Sequence, residues 1–210
     1  MPQVSLTDFI AAIQAGEALA SFPTDTVPAL AARPDQSDRI YAAKERPADK
    51  PLILMGASWS DLLPYIQGTD AEINHWQQVA EQYWPGALTL VLPSSDRVPP
   101  AMNPLQTGTL GIRVPHHPLA CYLLSHTGPL ATTSVNRSGQ PPLMDMAAIA
   151  TQFPQVLTLS PTAIANLKIQ IPDADLPPSG VPSTVITWAQ GQWTVLRQGA
   201  VAIDAILHHP

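Results

Sequence analysis

FPTDTVPALAARPDQSDRIYAAKERPADKP, residues 22–51, crowds hydroxyl groups, a carboxylate and cations between an expected strand and an expected helix. The apolar run ALASF (18–22) predicts a short buried strand, and Pro23 ends it. The Thr-Asp-Thr triplet at 24–26 follows directly, at the position where open α/β sheets bind their ligands. We expect the rest of the chain to face this stretch.

The second half of the stretch carries cations at the end of a predicted helix. Ser37 is expected to cap this helix at its start, and Pro47 stops it. Lys44 and Arg46 therefore lie at its C-terminal end. One interpretation is that they complement the helix dipole, at about 0.3–1 kcal/mol each. The other is that they grip a polyanion together with Lys50.

TLGIRVP, residues 109–115, has the alternation of a half-buried strand. Leu110 and Ile112 face one side of it, whereas Arg113 faces the other. An arginine in this position either pairs with an acid or serves a ligand, and both interpretations stay open here.

Other apolar runs and periodic segments alternate along the chain. Strands are predicted at 52–55, 88–93, the start of 128–139, and the two arms of a hairpin within 182–201. Helices are predicted between Ser5 and Gly16 and at 58–66, 69–83, 117–125, 145–153 and 203–207, whereas 160–182 reads as a loop. This order predicts an α/β protein with an open, twisted mixed sheet and flanking helices. No composition shift marks a boundary, so we expect a single domain over residues 1–210.

The composition indicates a compact globule with few charges. Hydrophobic residues make up 45% of the chain and charged residues 12%, which excludes a disordered protein. The net charge of −6 argues against a protein that coats nucleic acid without specificity. The one cysteine, Cys121, indicates a reducing compartment, and no run approaches the about 20 apolar residues of a membrane span. We therefore expect a cytoplasmic protein without a membrane partner.

Common catalytic and phosphate-binding motifs are absent from the sequence. There is no Walker A motif, no G-x-G-x-x-G that opens a helix and no G-x-S-x-G elbow, and the six histidines lack metal-ligand spacing. What remains are polar clusters that follow or interrupt predicted strands. Hydroxyls, amides and guanidinium groups without a nucleophile suit a cleft that binds phosphate and carboxylate groups.

Short blocks of sequence follow one another over almost the whole chain, from about Ala18 to Ala200. They are PTDTV (23–27), KERPADKP (44–51), PGALTLVLP (85–93), GIRVP (111–115), TSVNRSG (133–139), PSTV (182–185) and LRQGA (196–200). In this order they resemble the YrdC/Sua5 family. The resemblance implies a YrdC-like open α/β fold around a large concave cleft, without the additional C-terminal domain of the longer Sua5 form.

The resemblance also implies an activity. Members are threonylcarbamoyl-AMP synthases, which join L-threonine, bicarbonate and ATP and release pyrophosphate. A downstream threonylcarbamoyl transferase complex then modifies N6 of adenosine 37 in tRNA. Mg²⁺ is expected to arrive with ATP, without a tightly bound metal, and Asp25 is the one nearby carboxylate that we can propose as its ligand.

The site residues implied by the resemblance fall into two groups. The threonine contacts fall on Thr26, Arg113, Thr132 and Ser183. The nucleotide contacts fall on Lys44, Arg46, Lys50, Thr109, Ser134, Asn136 and Arg197, among which Lys44 and Arg46 are the expected catalytic residues.

Several positions depart from the family pattern. Pro28, Ala29 and Ala31 replace a tyrosine and two glycines that usually follow the P-T-acid-T-V motif. Met55 replaces a histidine near threonine, and Pro142 replaces a serine near the nucleotide, so both are left out of the expected site. Whether threonine is still selected over serine is therefore open.

Two other functions are compatible with these clusters. One is an enzyme that forms a carbamoyl adenylate, as a related domain of hydrogenase maturation proteins does. The other is an RNA-binding module whose cationic cleft grips tRNA or double-stranded RNA, which the net charge of −6 makes weaker.

Overall fold

The computed structural model describes residues 2–47 and 49–202, which form a large mixed sheet with helices around it. The strands are β1 Gln3–Val4, β2 Ala20–Phe22, β3 Ala29–Ala32, β4 Ile53–Met55, β5 Leu88–Pro93, β6 Thr109–Arg113, β7 Leu130–Ser134, β8 Thr158–Leu159, β9 Thr184–Ala189 and β10 Gln192–Arg197. The helices are α1 Leu6–Gln14, α2 Asp38–Lys44, α3 Trp59–Leu62, α4 Asp70–Tyr83, α5 Pro118–Thr127, α6 Met146–Gln152 and α7 Pro161–Gln170.

The large sheet has the strand order β10-β9-β5-β6-β4-β7-β3-β2. β4 pairs with β6 and β5 pairs with β9 in parallel, whereas the other neighbouring strands are antiparallel. β1 and β8 form a separate parallel pair. This arrangement confirms the predicted fold class, an α/β protein with an open mixed sheet.

β6 lies in the middle of the sheet, and its side chains point alternately to the two faces of the sheet. Leu110 and Ile112 are buried in a hydrophobic cluster with Trp76 of α4. Because side chains alternate along a strand, Arg113 faces the opposite side, as the sequence predicted. This second face is where polar groups collect.

Helix starts follow the local sequence. Ser5 caps α1 by accepting a hydrogen bond from the backbone N–H of Asp8 at 3.2 Å. Thr69 and Glu72 form a reciprocal capping box at the start of α4. Within the described residues, no helix has both the length and the apolar character that crossing a bilayer requires.

Three local predictions differ from the structure. The segment 160–182 contains α7, so the loop prediction was wrong; Ser160 caps this helix by accepting from the N–H of Ala163 at 3.1 Å. The tetrapeptide at 29–32 forms β3, which was not predicted. The hydroxyl of Ser37 donates to the Pro34 carbonyl at 2.7 Å instead of capping α2. The helix predicted at 203–207 lies outside the described residues.

Candidate active site

A cavity of about 540 Å³ opens on the polar face of the sheet. It collects residues from segments that are far apart in sequence, because alternate positions of neighbouring strands share one face. Most of the expected site residues line it, namely Thr26, Arg46, Thr109, Arg113, Thr132, Ser134, Asn136, Ser183 and Arg197. Lys44 and Lys50 do not line it.

Arg113 is buried at the cavity, with 4% of its surface exposed. Its Nη2 donates to Asp25 Oδ1 at 2.6 Å, its Nη1 to Thr26 Oγ1 at 2.9 Å and its Nε to the Gly86 carbonyl at 3.0 Å. Burial lowers the pKa of the guanidinium, and the charge of Asp25 opposes this effect. The first interpretation from the sequence is confirmed, since Arg113 pairs with an acid; its position in the cavity lining is compatible with the second, that it serves a ligand.

The guanidinium of Arg113 still has donors to offer. A guanidinium carries five N–H groups, and three are engaged. One N–H on each Nη remains, and guanidinium N–H groups are strong donors to carboxylate oxygens. This end of the cavity can therefore bind one further anionic group.

A compact turn holds Thr26 against Arg113. Thr24 Oγ1 donates to the Val27 carbonyl at 2.8 Å and accepts from the N–H of Thr26 at 3.2 Å. The hydroxyls of Thr24 and Thr26 lie 3.1 Å apart, and both residues are buried. The N–H of Gly180 donates to the Thr26 carbonyl at 2.8 Å, which ties the segment before β9 to this turn.

Lys44 lies behind the cavity wall, not in its lining. Only 1% of its surface is exposed. Its Nζ donates to Asn136 Oδ1 at 2.8 Å and to the carbonyl oxygen of Ser134. Burial lowers the pKa of Lys44 to about 7, and the neighbouring charge of Arg46 lowers it further. This placement differs from the expected direct contact with phosphates, because Ser134 and Asn136 line the cavity and Lys44 does not.

The two remaining cations of this region differ in position. Arg46 lines the cavity. Its Nε donates to the Lys50 carbonyl at 3.0 Å, and its Nη2 donates to the Pro51 carbonyl at 3.0 Å. Burial lowers the pKa of Arg46. Lys50 is exposed, and its Nζ donates to Ser138 Oγ at 3.3 Å. Arg46 is thus fixed by backbone carbonyls, whereas Lys50 lies outside the cavity.

The hairpin of β9 and β10 supplies the opposite wall. Arg197 Nη2 donates to the Ser183 carbonyl at 2.8 Å and lies 3.3 Å from Ser183 Oγ. Ser183 Oγ in turn lies 2.9 Å from Thr89 Oγ1. Thr132, on the floor, donates to the Ile53 carbonyl at 3.0 Å. These hydroxyls are therefore held in fixed positions.

Sequence reasoning missed part of the lining. Thr89 is a polar residue inside the apolar strand β5, and this interruption was a usable signal. Met55 and Pro142, which the resemblance led us to leave out, also line the cavity. The contact between Asp25 and Arg113 joins residues far apart in sequence and had no local signal.

Among the described residues, no group of three or more histidine, cysteine, aspartate or glutamate side chains lies together. Asp25, proposed from the sequence as a magnesium ligand, is ion-paired with Arg113 through its Oδ1 at 2.6 Å.

Several known proteins have sequences similar to that of this chain. A protein named threonylcarbamoyl-AMP synthase from Vibrio campbellii is 36% identical over 146 residues, which are 68% of this chain and 77% of that protein. One of the same name from Chromohalobacter salexigens is 35% identical over 165 residues, 77% of this chain and 86% of that protein. The Bacillus subtilis protein of this name is 34% identical, and the match covers 89% of this chain but 51% of that protein.

Solved structures are similar as well. P. abyssi Sua5 complexed with L-threonine is 30% identical, with a TM-score of 0.77, and the match covers 98% of this chain and 58% of that chain. E. coli YciO is 21% identical with a TM-score of 0.75, and the match covers 95% and 91%. This chain thus spans little more than half of P. abyssi Sua5, and the likeness to YciO concerns the fold.

The sequence model of the Sua5/YciO/YrdC family, described as "Telomere recombination", matches residues 11–199. This range includes every residue that lines the cavity. The chain belongs to the Sua5/YciO/YrdC family.

Proposed function

We propose that this chain is a nucleotidyltransferase that forms threonylcarbamoyl-AMP from L-threonine, bicarbonate and ATP for the modification of tRNA. The observation that carries this proposal is the gathering of three arginines around one cavity. Arg113 keeps two free N–H donors beside buried hydroxyls, Arg197 lies near it against Ser183, and Arg46 lines the cavity as well. The names of the relatives and the threonine complex of P. abyssi Sua5 support it.

The Arg113 end is assigned to threonine. The two free N–H groups of Arg113 hold the threonine carboxylate in a bidentate fork. The hydroxyls of Thr26, Thr132 and Ser183 line the same cavity and offer hydrogen bonds to the amino acid. Because Arg113 is held by Asp25 and Gly86, it needs no rearrangement to bind.

The nucleotide is assigned to the remainder of the cavity. Arg46 and Arg197 supply positive charge, and Ser134 and Asn136 supply hydrogen bonds. Thr109, at the start of β6, is the contact at the edge of the floor. Lys44 acts from behind by fixing Ser134 and Asn136, and its charge adds to the potential that attracts phosphates.

The chemistry needs alignment more than it needs a nucleophile from the protein. The ammonium group of threonine first loses a proton, and the resulting amine adds to bicarbonate and yields a carbamate with loss of water. A carbamate oxygen then forms a bond to the α-phosphorus, while the bond from that phosphorus to the bridging oxygen breaks and its electron pair leaves with pyrophosphate. Positioning and cations over the developing charge drive such transfers.

Magnesium and the downstream partners complete the proposal. The cavity lining contains no carboxylate among the described residues, so magnesium is bound through the ATP phosphates and enters as part of the substrate. The product passes to a threonylcarbamoyl transferase complex that acts on tRNA. Residues 1–210 are proposed to form one domain.

A pyrophosphate release assay tests the proposal. Purified protein is incubated with ATP and magnesium, with and without L-threonine and bicarbonate, and the adenylate product is identified by mass spectrometry. Pyrophosphate is expected only when all three substrates are present. Turnover without threonine, or with carbamoyl phosphate in place of threonine and bicarbonate, would instead assign the chain to carbamoyl adenylate formation.

A binding experiment distinguishes the RNA-binding interpretation from the proposed enzyme. Affinity for tRNA is measured between low and moderate salt, with catalysis measured in parallel. A steep loss of RNA affinity with salt, in a protein that forms no adenylate, would support an RNA-binding module.

A further inference from the structure

Gly111 is a glycine that the fold does not require. Of the eleven glycines, those that adopt a positive φ are Gly16, Gly108, Gly128, Gly139, Gly180 and Gly191. Those at which an added Cβ would lie less than 3.0 Å from another atom are Gly56, Gly68, Gly86 and Gly199. Gly111 has neither property, so the backbone and its neighbours leave room for a side chain.

The surroundings of Gly111 show how much room there is. An added Cβ would lie 3.4 Å from Ile53 Cγ1, 3.5 Å from Thr89 Cγ2 and 3.9 Å from Val91 Cγ2. These are ordinary van der Waals distances. Glycine in the interior of a strand weakens the strand, because the unfolded chain loses more backbone freedom on folding. Alanine at this position is therefore compatible with the fold and more favourable for folding.

The position of Gly111 in the cavity gives it another role. It lies on the cavity floor in β6, between Thr109 and Arg113, and all three face the same side. Each neighbour on this face is two residues away, about 6.5–7 Å along the strand. Ile53 and Val91 are its register partners on the two adjacent strands and flank it. The missing side chain thus leaves a depression at the centre of the floor.

We propose that Gly111 has no side chain because the carbamate of threonine and the α-phosphorus of ATP meet over its backbone. This inference rests on the proposed function, in which Arg113 holds the amino acid and Thr109 contacts the nucleotide. Gly111 is then a positioning residue that lets the two substrates approach each other at the floor. A methyl group there displaces the reacting carbamate and α-phosphorus away from the cavity floor. It removes no contact that either substrate makes alone.

The test is Gly111→Ala. Its kcat for adenylate formation is expected to fall about 10–100-fold, since a displacement of about 1 Å in reacting groups costs about that much. The dissociation constants for ATP, and for threonine in the presence of α,β-methylene-ATP, are expected to stay within about a factor of 3 of the wild type. Its melting temperature is expected to be unchanged or higher by up to about 4 °C.

Gly191→Ala is the matched control. Gly191 lies in the turn between β9 and β10 at φ +76°, away from the cavity, with no atom within 4 Å of an added Cβ. The same substitution is strained there, so the melting temperature is expected to fall by about 2–4 °C. Its kcat at 25 °C is expected to equal that of the wild type. The two variants therefore separate loss of stability from loss of alignment.

Three results would overturn the inference. These are wild-type kcat in Gly111→Ala, a fall in melting temperature that parallels the fall in kcat, and a loss of affinity for one substrate that accounts for the whole loss in kcat/KM. Adenylate formation by the wild type tests the proposed function separately from this inference. If the wild type forms no threonylcarbamoyl-AMP, the proposed function fails; if the wild type is active and Gly111→Ala equals it, only this inference fails.

Discussion

The two buried cations of this region, Arg113 in the cavity lining and Lys44 behind the cavity wall, differ in the partners of their charges. Arg113 is 4% exposed and pairs with Asp25 at 2.6 Å. Lys44 is 1% exposed, and the contacts of its Nζ are neutral oxygens of Ser134 and Asn136. The charge of Arg113 thus has a counter-ion in the protein. The charge of Lys44 is buried and is stabilised by hydrogen bonds to neutral oxygens alone.

The difference has a consequence for the ligands. A buried charge without a counter-ion is unfavourable, and the pKa of Lys44 falls to about 7 for this reason. A polyanion bound next to Ser134 and Asn136 supplies the missing negative charge. The charge of Arg113, in contrast, is already paired with Asp25, and only its remaining N–H donors are available to a ligand. Four predictions test this contrast.

The largest expected effect is the loss of stability when Arg113 is removed. Arg113→Met leaves the carboxylate of Asp25 without its cation, and the free energy of unfolding is expected to fall by about 3–5 kcal/mol. Lys44→Met leaves no orphaned charge, so a smaller decrease is expected. Urea denaturation of both variants at one pH measures the difference.

The double variant Arg113→Met/Asp25→Asn is the control for this prediction. It removes both charges of the pair, and it is expected to be more stable than Arg113→Met alone. Equal losses in Arg113→Met and Lys44→Met would contradict the contrast between the two ends.

The next effect is on threonine binding. Arg113→Lys keeps the charge beside Asp25 but loses the planar fork, because an ammonium group is a point charge. The KM for threonine is expected to rise about 10–100-fold, with the KM for ATP changed by less than about a factor of 3. Steady-state kinetics with each substrate varied in turn measures both. An equal rise in both constants would show that Arg113 does not discriminate between the two ends.

The sequence anticipated Arg113 better than Lys44, and the reason is geometric. Alternation along 109–115 fixed the face of Arg113, since a strand has a period of two residues. Lys44 was judged from its place at the end of a helix. It lies four residues after Ile40, which is fully buried, so both lie on the buried face of α2. That spacing was a signal we did not use.

Other features had weak local signals or none. β3 consists of alanines and one leucine, without the β-branched and aromatic residues that mark strands, and its pairing with β2 and β7 decides its conformation. The start of α7 did have a signal, Ser160 followed by Pro161. The approach of Asp25 to Arg113 depends on the strand order of the whole sheet, which the sequence pattern does not specify.

The third prediction concerns the pH dependence of stability through Lys44. Its pKa is about 7 in the folded state and 10.5 as the ordinary value, so the unfolded state binds more protons between these limits. The free energy of unfolding is therefore expected to rise with pH above about pH 7, by about 1 kcal/mol between pH 7 and 8. Below this window both states are protonated, and Lys44 contributes no pH dependence.

Urea denaturation of the wild type and of Lys44→Met at several pH values between about 6 and 9 measures this contribution. The difference in the free energy of unfolding between the two proteins is expected to grow with pH. A constant difference would show that the folded state holds the Lys44 proton as firmly as the unfolded chain does.

The smallest effect is expected at Lys50, the exposed cation of the same region. Its Nζ lies 3.3 Å from Ser138 Oγ, outside the cavity lining. Lys50→Met is therefore expected to change the free energy of unfolding by less than about 0.5 kcal/mol. The KM for ATP is expected to rise by less than about fivefold at low salt, because an exposed charge attracts the nucleotide only through solvent. At about 0.5 M salt this difference is expected to vanish, since salt screens exposed charges much more than buried ones. A rise in KM that persists at high salt would instead place Lys50 in direct contact with the phosphates, with the segment around it closed onto the bound nucleotide.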